Sequence, residues 1–523
     1  MNLSQYILTT TTGFDERSQM VSVSRKRPMM LLRWCGALAL VPFLCLLASV
    51  AFAQPDLSVW VYPGSSGRLI SQPDAQGNRI IDHSGVGYMG GTVPLPVVPV
   101  VLTISPVAGD NTANVQGALD QIAAMPLNTN GFRGALLLTA GYYPISNSVS
   151  INASGTVLYS TSTNGPGNGQ NQLQGLVVIS GSYSPAPING TSNNIVDNYV
   201  PVGATSFTVD GEGVLNVGDL VIVHRPSTAN WITAIGMDQL NTPWAPGTVD
   251  VDEERTITRI EGNRVMIDQP ITTAIDQNYG GGSIYAFTWP QRYNNIGIEN
   301  LRGQSYYDTN NIYDENHAWD FIRFSNTENC WVRNVVSQYF GKSCVSLQTG
   351  TKWATVVNCH CLTPISLIES ERRYAFDLNS CQLCIVENCT TLEDRHSFLT
   401  ESLTDGPNVF VDGTAQQAYD LAGPHVMWAS GILFDNITTD NGMTCANAGN
   451  AGAAGEPGQG WTGANCAFWN CAAGADTNGF TIEGPPTAHN WLIGAIGPLV
   501  LVVRPIGWWC LDFNLAVGSL RQQ

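Results

Sequence analysis

Lysine is almost missing from this chain: 523 residues hold only Lys26, Lys342 and Lys352. Positive charge is scarce altogether, with 23 Lys and Arg against 41 Asp and Glu, a net charge of -18. Five of the basic and two of the acidic residues lie in 1–53, so 54–523 carries 18 and 39, a net of -21. A chain so charged repels nucleic acid and anionic membrane surfaces, which excludes nucleic acid as a partner. Cationic chemistry must fall mostly to arginine and histidine.

Long apolar runs are few. The run 31–50 follows Arg25, Lys26 and Arg27 and ends in Ala51-Phe52-Ala53, the pattern of a secretory signal cleaved before Gln54. It is short for a retained anchor, so 1–53 reads as a signal with an N-terminal extension. The mature protein is then secreted or periplasmic, with no membrane partner. A second apolar run, 491–503, is broken by Pro498 and reads as a covered final strand or an aberrant C-terminal tail, 491–523. Paired cysteines are lacking too. Thirteen are present, and Cys35 and Cys45 leave with the signal, so the remaining eleven cannot all pair. Ten of them crowd between Cys330 and Cys471.

Helical periodicity is confined to 111–124, where Val115, Leu119 and Ile122 recur at helical spacing after an N-cap at Asn111 or Thr112. Elsewhere glycine, proline, asparagine and short β-branched runs such as 175–180 predict strands. An asparagine in a short apolar run recurs at Asn300, Asn329, Asn358 and Asn388, then at Asn436 and Asn470, four of the six followed directly by cysteine or preceding it in the same strand. One solenoid turn per repeat explains the spacing. Equivalent positions stack about 4.8 Å apart, so asparagines form a hydrogen-bonded ladder and cysteines a buried stack. From 199 to 274 the pattern changes to alternating strands with a Gly262-Asn263 turn, a small antiparallel β subdomain inserted between the solenoid parts 54–198 and 275–490.

The segment Gly109-Asp-Asn-Thr-Ala-Asn-Val-Gln-Gly-Ala-Leu-Asp120, followed by Gly134-Ala-Leu-Leu-Leu-Thr-Ala-Gly-Tyr-Tyr143, resembles the pectate lyase-like right-handed parallel β-helix superfamily over roughly residues 100–490. The resemblance implies an all-β, right-handed parallel β-helix (β-solenoid) with an N-terminal capping helix, active on polysaccharide. The segment departs from the superfamily's usual Asp-Gly-x-x-Asp-Asp form, and no catalytic residue is carried over.

Candidates come from overlaying the turns. The loops before the strands near 319–324, 344–347 and 374–378 hold Asp314 to His317, Lys342, and Glu371-Arg372-Arg373, and later loops add Asp394, His396, Glu401 and His425. If these occupy one corner of successive turns, carboxylates, arginine forks and aromatic faces converge on a sugar-binding groove. Two chemistries then compete. β-Elimination on a uronic acid needs the substrate carboxylate neutralised by Ca²⁺ or arginine and a base; Arg373, His396 and Tyr374 supply those roles, and this reading is put first. Hydrolysis needs two carboxylates, Asp394 with Glu401 or Asp320 with Asp377. His317, Asp320, Arg372 and His425 would bind substrate, with Trp319, Trp428 and Trp461 as sugar platforms. No calcium loop is evident, and the Cys359/Cys361/Cys381/Cys384 spacing is better explained by packing than by zinc, so the metal ligands stay unassigned. A third reading, a non-catalytic carbohydrate-binding solenoid, needs the platforms but no convergent ionisable set.

Overall fold

The computed structural model describes residues 58–160, 175–474 and 478–501, and the backbone of two further strands, Tyr6–Thr10 and Leu511–Asp512. Apart from Tyr6–Thr10, laid antiparallel along Leu301–Ser305, the expected signal segment lies outside the described residues, as does most of 502–523. No helix among the described residues is long and apolar enough to cross a membrane.

Three parallel sheets build the middle of the solenoid, each turn from Tyr293 to Pro424 contributing one strand to each, and the later turns place their third strand in a separate sheet of Gly442–Cys445, Gly479–Ile482 and Leu499–Leu501. The first carries Tyr293–Glu299, Thr327–Arg333, Lys352–Val357, Ile385–Glu387, Asp405–Val411 and Ala429–Asp435 in that order. The second carries Leu301–Ser305, Val336–Gln338, His360–Leu362 and Thr390–Leu392. The third, which bears the candidate site, carries Gly175–Ser180, Asp320–Ser325, Ser343–Leu347, Tyr374–Leu378 and His396–Thr400. The expected right-handed parallel β-helix is the fold observed. Trp491–Ile493 pairs with Ala467–Trp469, so the start of the apolar tail is a covered strand of the first sheet.

Like side chains stack because each turn offers the same environment. Phe434 and Phe468 lie 4.8 Å apart with rings 4° from parallel, the spacing of adjacent strands. The ladder is real, but its members differ from the expected set. Asn334 donates to Asn300 (2.9 Å), Asn358 to Asn334 (3.2 Å) and Asn388 to Asn358 (2.7 Å), and Asn436 donates to Asp412 (2.6 Å). Asn329 sits in another row, beside Asn295, where the first sheet bulges. All ladder members have φ between 50° and 56°, the left-handed region that asparagine tolerates better than most residues. Cys359, Cys389 and Cys471 line the adjoining core row with Val335 and Ile437. The ten described cysteines are free and buried, and Cys330, Cys359 and Cys389 donate Sγ–H to nearby backbone carbonyls. Burial raises the thiol pKa of Cys330 to about 12 and pushes those of Cys344 and Cys389 up as well, which keeps these three protonated.

The helix Thr112–Ala123 buries Val115, Leu119 and Ile122 against the first turns. Its first amide is capped by Asp110 (3.0 Å), while Asn111 instead accepts from Val107. The inserted unit is wider than 199–274. Its antiparallel strands run from Ala186–Pro187 to Ser283–Thr288. The Gly262-Asn263 turn joins Val251–Glu261 to Arg264–Ile267. The unit returns to turns far along the chain: Trp231 packs edge-on against Trp428 (4.7 Å), and Asn465 donates to the Thr272 carbonyl.

Candidate functional site

Alternation along the third sheet sends Ile322, Val345, Phe376 and Phe398 into the core. Arg323, Ser346 and Asp377, in register with one another, take the other face. Asp377 is fully buried there, and its Oδ2 accepts from Ser346 Oγ (2.9 Å), Gln348 Nε2 (3.0 Å) and Lys342 Nζ (3.2 Å). Lys342 reaches it from the loop before its own strand and donates also to Glu401 Oε1 at 2.9 Å. One ammonium thus joins two carboxyl groups supplied by adjacent turns.

The protonation states follow. Burial opposes the charge on Lys342, but Asp377, Glu401 and Asp320 outweigh it and hold its pKa well above the usual lysine range. Three carboxyls around one cation cannot all ionise cheaply. Burial, together with the Asp377 charge, pushes Glu401 up to about 8 despite Lys342. Burial also raises Asp320. Near neutral pH the structure therefore holds a protonated Glu401 against Asp377.

At the start of the same strands, Tyr374 and His396 pair in register, their rings 5.3 Å apart, with His425 4.4 Å from His396. His396 Nδ1 donates to the Leu421 carbonyl (2.6 Å), which fixes the tautomer and leaves a lone pair on the buried Nε2, 3.5 Å from Asp420 Oδ2. Burial lowers its pKa to about 4 and that of His425 to about 3, so both are neutral imidazoles. Burial raises the Tyr374 phenol. Lys342 lies over the Tyr374 ring at 5.4 Å, which links the two halves of the site.

Several expected site residues are placed elsewhere. Arg373 is buried, and its guanidinium is spent on the carbonyls of Ser366, Glu393 and Ile312, so it staples loops and is not available to a substrate. Arg372 forks onto Glu315. His317 is buried with Nε2 donating to Ile365 O and Nδ1 bonded to Ser305. Trp319 and Trp428 are buried and offer no free ring face; the half-buried Trp461 donates to Ile235 O, and Trp428 and Trp461 tie the inserted unit down. Asp394 is buried beneath the face, bonded to Ser397, its pKa raised by burial to about 7. The joined carboxyls, Asp377 and Glu401, take one member from each of the two pairs considered from sequence. The residue without a role in that reading is Lys342, whose signal was rarity: it is one of two lysines beyond residue 53.

Calcium does not fit these residues. Among the described residues no group of three or more His, Cys, Asp or Glu is arranged to hold a metal ion, and the carboxyls of Asp320, Asp377 and Glu401 surround an ammonium.

No protein-family model matches the chain, and no curated protein matches it. Among solved structures it is similar to the tailspike protein gp49 from Pseudomonas phage LKA1, at 14% identity and a TM-score of 0.39 over 73% of this chain. It spans 57% of that tailspike's length. It is similar also to a polygalacturonase from Erwinia carotovora ssp. carotovora, at 11% identity and a TM-score of 0.29, covering 76% of this chain and 98% of that one. A structure described as a glycoside hydrolase gives 9% identity and a TM-score of 0.28, with coverages of 76% and 97%.

Proposed function

We propose that the protein is an exported enzyme that degrades polysaccharide by hydrolysing glycosidic bonds. The observation that carries this is a pair of buried carboxyls, Glu401 and Asp377, joined through Lys342 Nζ at 2.9 and 3.2 Å, of which burial and the Asp377 charge push Glu401 up to about 8. Glycoside hydrolysis requires such an unequal pair. Glu401 donates its proton to the leaving glycosidic oxygen. Asp377, held by Lys342, Ser346 and Gln348, supplies the negative charge that stabilises the oxocarbenium-like transition state. Arg373, the cation first assigned to a uronate carboxylate, is turned away. Lys342, Arg372 and Arg395 are each paired with acids already, which favours a polymer without acidic groups.

One observation favours elimination as a second reading: neutral His396, its ring 5.3 Å from that of Tyr374, brings together the make-up of a base and an acid for abstracting a sugar proton. A single experiment separates the two. The mature protein is incubated with neutral and uronic-acid polysaccharides while reducing ends and the ultraviolet absorbance of unsaturated uronates are followed. Reducing ends without that absorbance, lost in Glu401→Gln, are expected. Absorbance that grows on uronates and vanishes in His396→Gln would overturn hydrolysis in favour of elimination.

A further inference from the structure

A second concave surface lies beyond the site, where the inserted unit faces the turns that follow the third sheet. The strands that present Asp377 and Glu401 run directly into it: Ser380 and Leu403 line its floor, as does Thr349, the neighbour of Gln348. It is a cleft of about 310 Å³, near the lower bound of small-ligand sites. Its far wall is aromatic. Tyr183 and Trp289 meet edge to face at 5.2 Å, and Tyr285 lines the cleft beside them. Tyr183 is 66% exposed among the described residues.

The charged groups that line this cleft are all acids, set among the neutral Thr349, Thr351, Ser380 and Gln382; one acid, Glu254, is held by Arg292 and Lys352. Asp250, Asp252 and Asp405 line it, whereas no lysine or arginine does. Asp250 accepts from Ser227, Asp252 pairs with His224 at 2.7 Å, and Asp405 accepts from the Asp252 amide and from Ser430. Hydrogen-bond acceptors beside flat aromatic faces suit sugar hydroxyls and the apolar faces of pyranose rings. A uronate carboxylate placed there would meet like charge, because the cations at its edge, His224, Arg292 and Lys352, are already paired with Asp252 and Glu254.

We infer that this cleft is a sugar-binding subsite, built jointly by the inserted unit and the solenoid, that receives pyranose units without an acidic group from a chain extending out of the Asp377–Glu401 site. The inference rests on the reading of the protein as polysaccharide-active and adds to it the place and charge class of the bound sugars. The cleft explains why the insertion carries exposed aromatics opposite the solenoid turns, and it makes the two parts one binding surface.

The test is a fluorescence and calorimetric titration of the full chain with neutral oligosaccharides and with oligogalacturonates, for wild type, Tyr183→Ala, Asp252→Asn and Glu401→Gln. Neutral oligosaccharides are expected to bind and to perturb Trp289 emission, with oligogalacturonates at least tenfold weaker. Tyr183→Ala, whose side chain is exposed and bears no fold, should weaken neutral binding roughly tenfold, the scale of one lost aromatic contact. Asp252→Asn should narrow the discrimination against oligogalacturonates. Equal binding of the two classes, no binding of neutral sugars, or unchanged affinity in Tyr183→Ala each overturns the inference. If Glu401→Gln abolishes turnover while Tyr183→Ala binds normally, the cleft fails and the catalytic reading stands; the reverse pattern leaves the cleft and removes Glu401 from catalysis.

Discussion

Replacing Glu401 by Gln separates the catalytic claim from any structural role, because glutamine reproduces the shape and the donor of a protonated glutamate. Its carbonyl can still accept from Lys342 and its amide can donate to Asp377, so the fold should survive. The wild-type carboxyl has its pKa raised from 4.5 to about 8 by burial and by Asp377, so the folded state retains a proton that the unfolded chain releases above 4.5. Stability then falls as pH rises through the window from 4.5 to 8. At about 1.4 kcal/mol per pKa unit the loss across that window reaches roughly 4 kcal/mol, and sharing the proton with Asp377 reduces it toward 2. Urea unfolding of both proteins at pH 5, 6, 7 and 8 measures the difference, in which titrating groups away from Lys342, Asp377 and Asp320 cancel. The variant should gain about 2–4 kcal/mol relative to wild type between pH 5 and 8 while losing about 10²–10⁴-fold in kcat. Parallel stability profiles would refute the proton placement, and full activity would refute the assignment of Glu401 as acid.

The two neutral histidines act at the other end of the pH scale. Their pKa values, about 4 for His396 and about 3 for His425, lie below the ordinary 6.5, so their favourable contribution is complete above pH 6.5 and is lost as pH falls toward 4. His396→Gln should flatten the acid limb of the stability curve by up to about 3 kcal/mol, read by urea unfolding between pH 4 and 7. In the ladder, Asn358→Ala loses bonds to Asn334 and Asn388 and keeps a left-handed backbone, so it should cost about 1–3 kcal/mol, and Asn358→Gly less, in a chemical denaturation series. A thiol reagent should leave the ten described cysteines unmodified until the chain is unfolded, and reductant should leave Tm unchanged.

The solenoid was legible because a repeated environment selects repeated residues, and Asn358-Cys359 and Asn388-Cys389 mark one corner directly. Asn329-Cys330 carries the same dipeptide at nearly the same spacing yet belongs to the bulged row of the first sheet, five residues ahead of the true ladder member Asn334. Spacing alone does not tell two asparagine-rich corners of one turn apart. The site segment was legible as well, since loops before successive strands of a solenoid must stack, and this brought Tyr374, His396 and His425 together. Side-chain direction was not. Arg373 and Arg372 are sequence neighbours, but a left-handed backbone at Arg373 turns its guanidinium into the loops. Trp428 reads as a groove aromatic until the insertion, some two hundred residues earlier in the chain, is found packed over it.

That packing changes how the molecule comes apart and how it is made. A solenoid whose turns touch only their neighbours can fray from either end, one turn at a time. Here a unit that leaves the chain before Tyr293 is fastened to Trp428, Trp461 and Asn465, so it works as a splint across the intervening turns. Fraying from the C-terminal end must first break the Trp231–Trp428 contact, which makes loss of the last turns and release of the splint a single event. The same long-range closure delays folding: the inserted sheet can form early from its own hairpins, but its tryptophan face stays uncovered until residues near 428–465 have been synthesised and coiled into place.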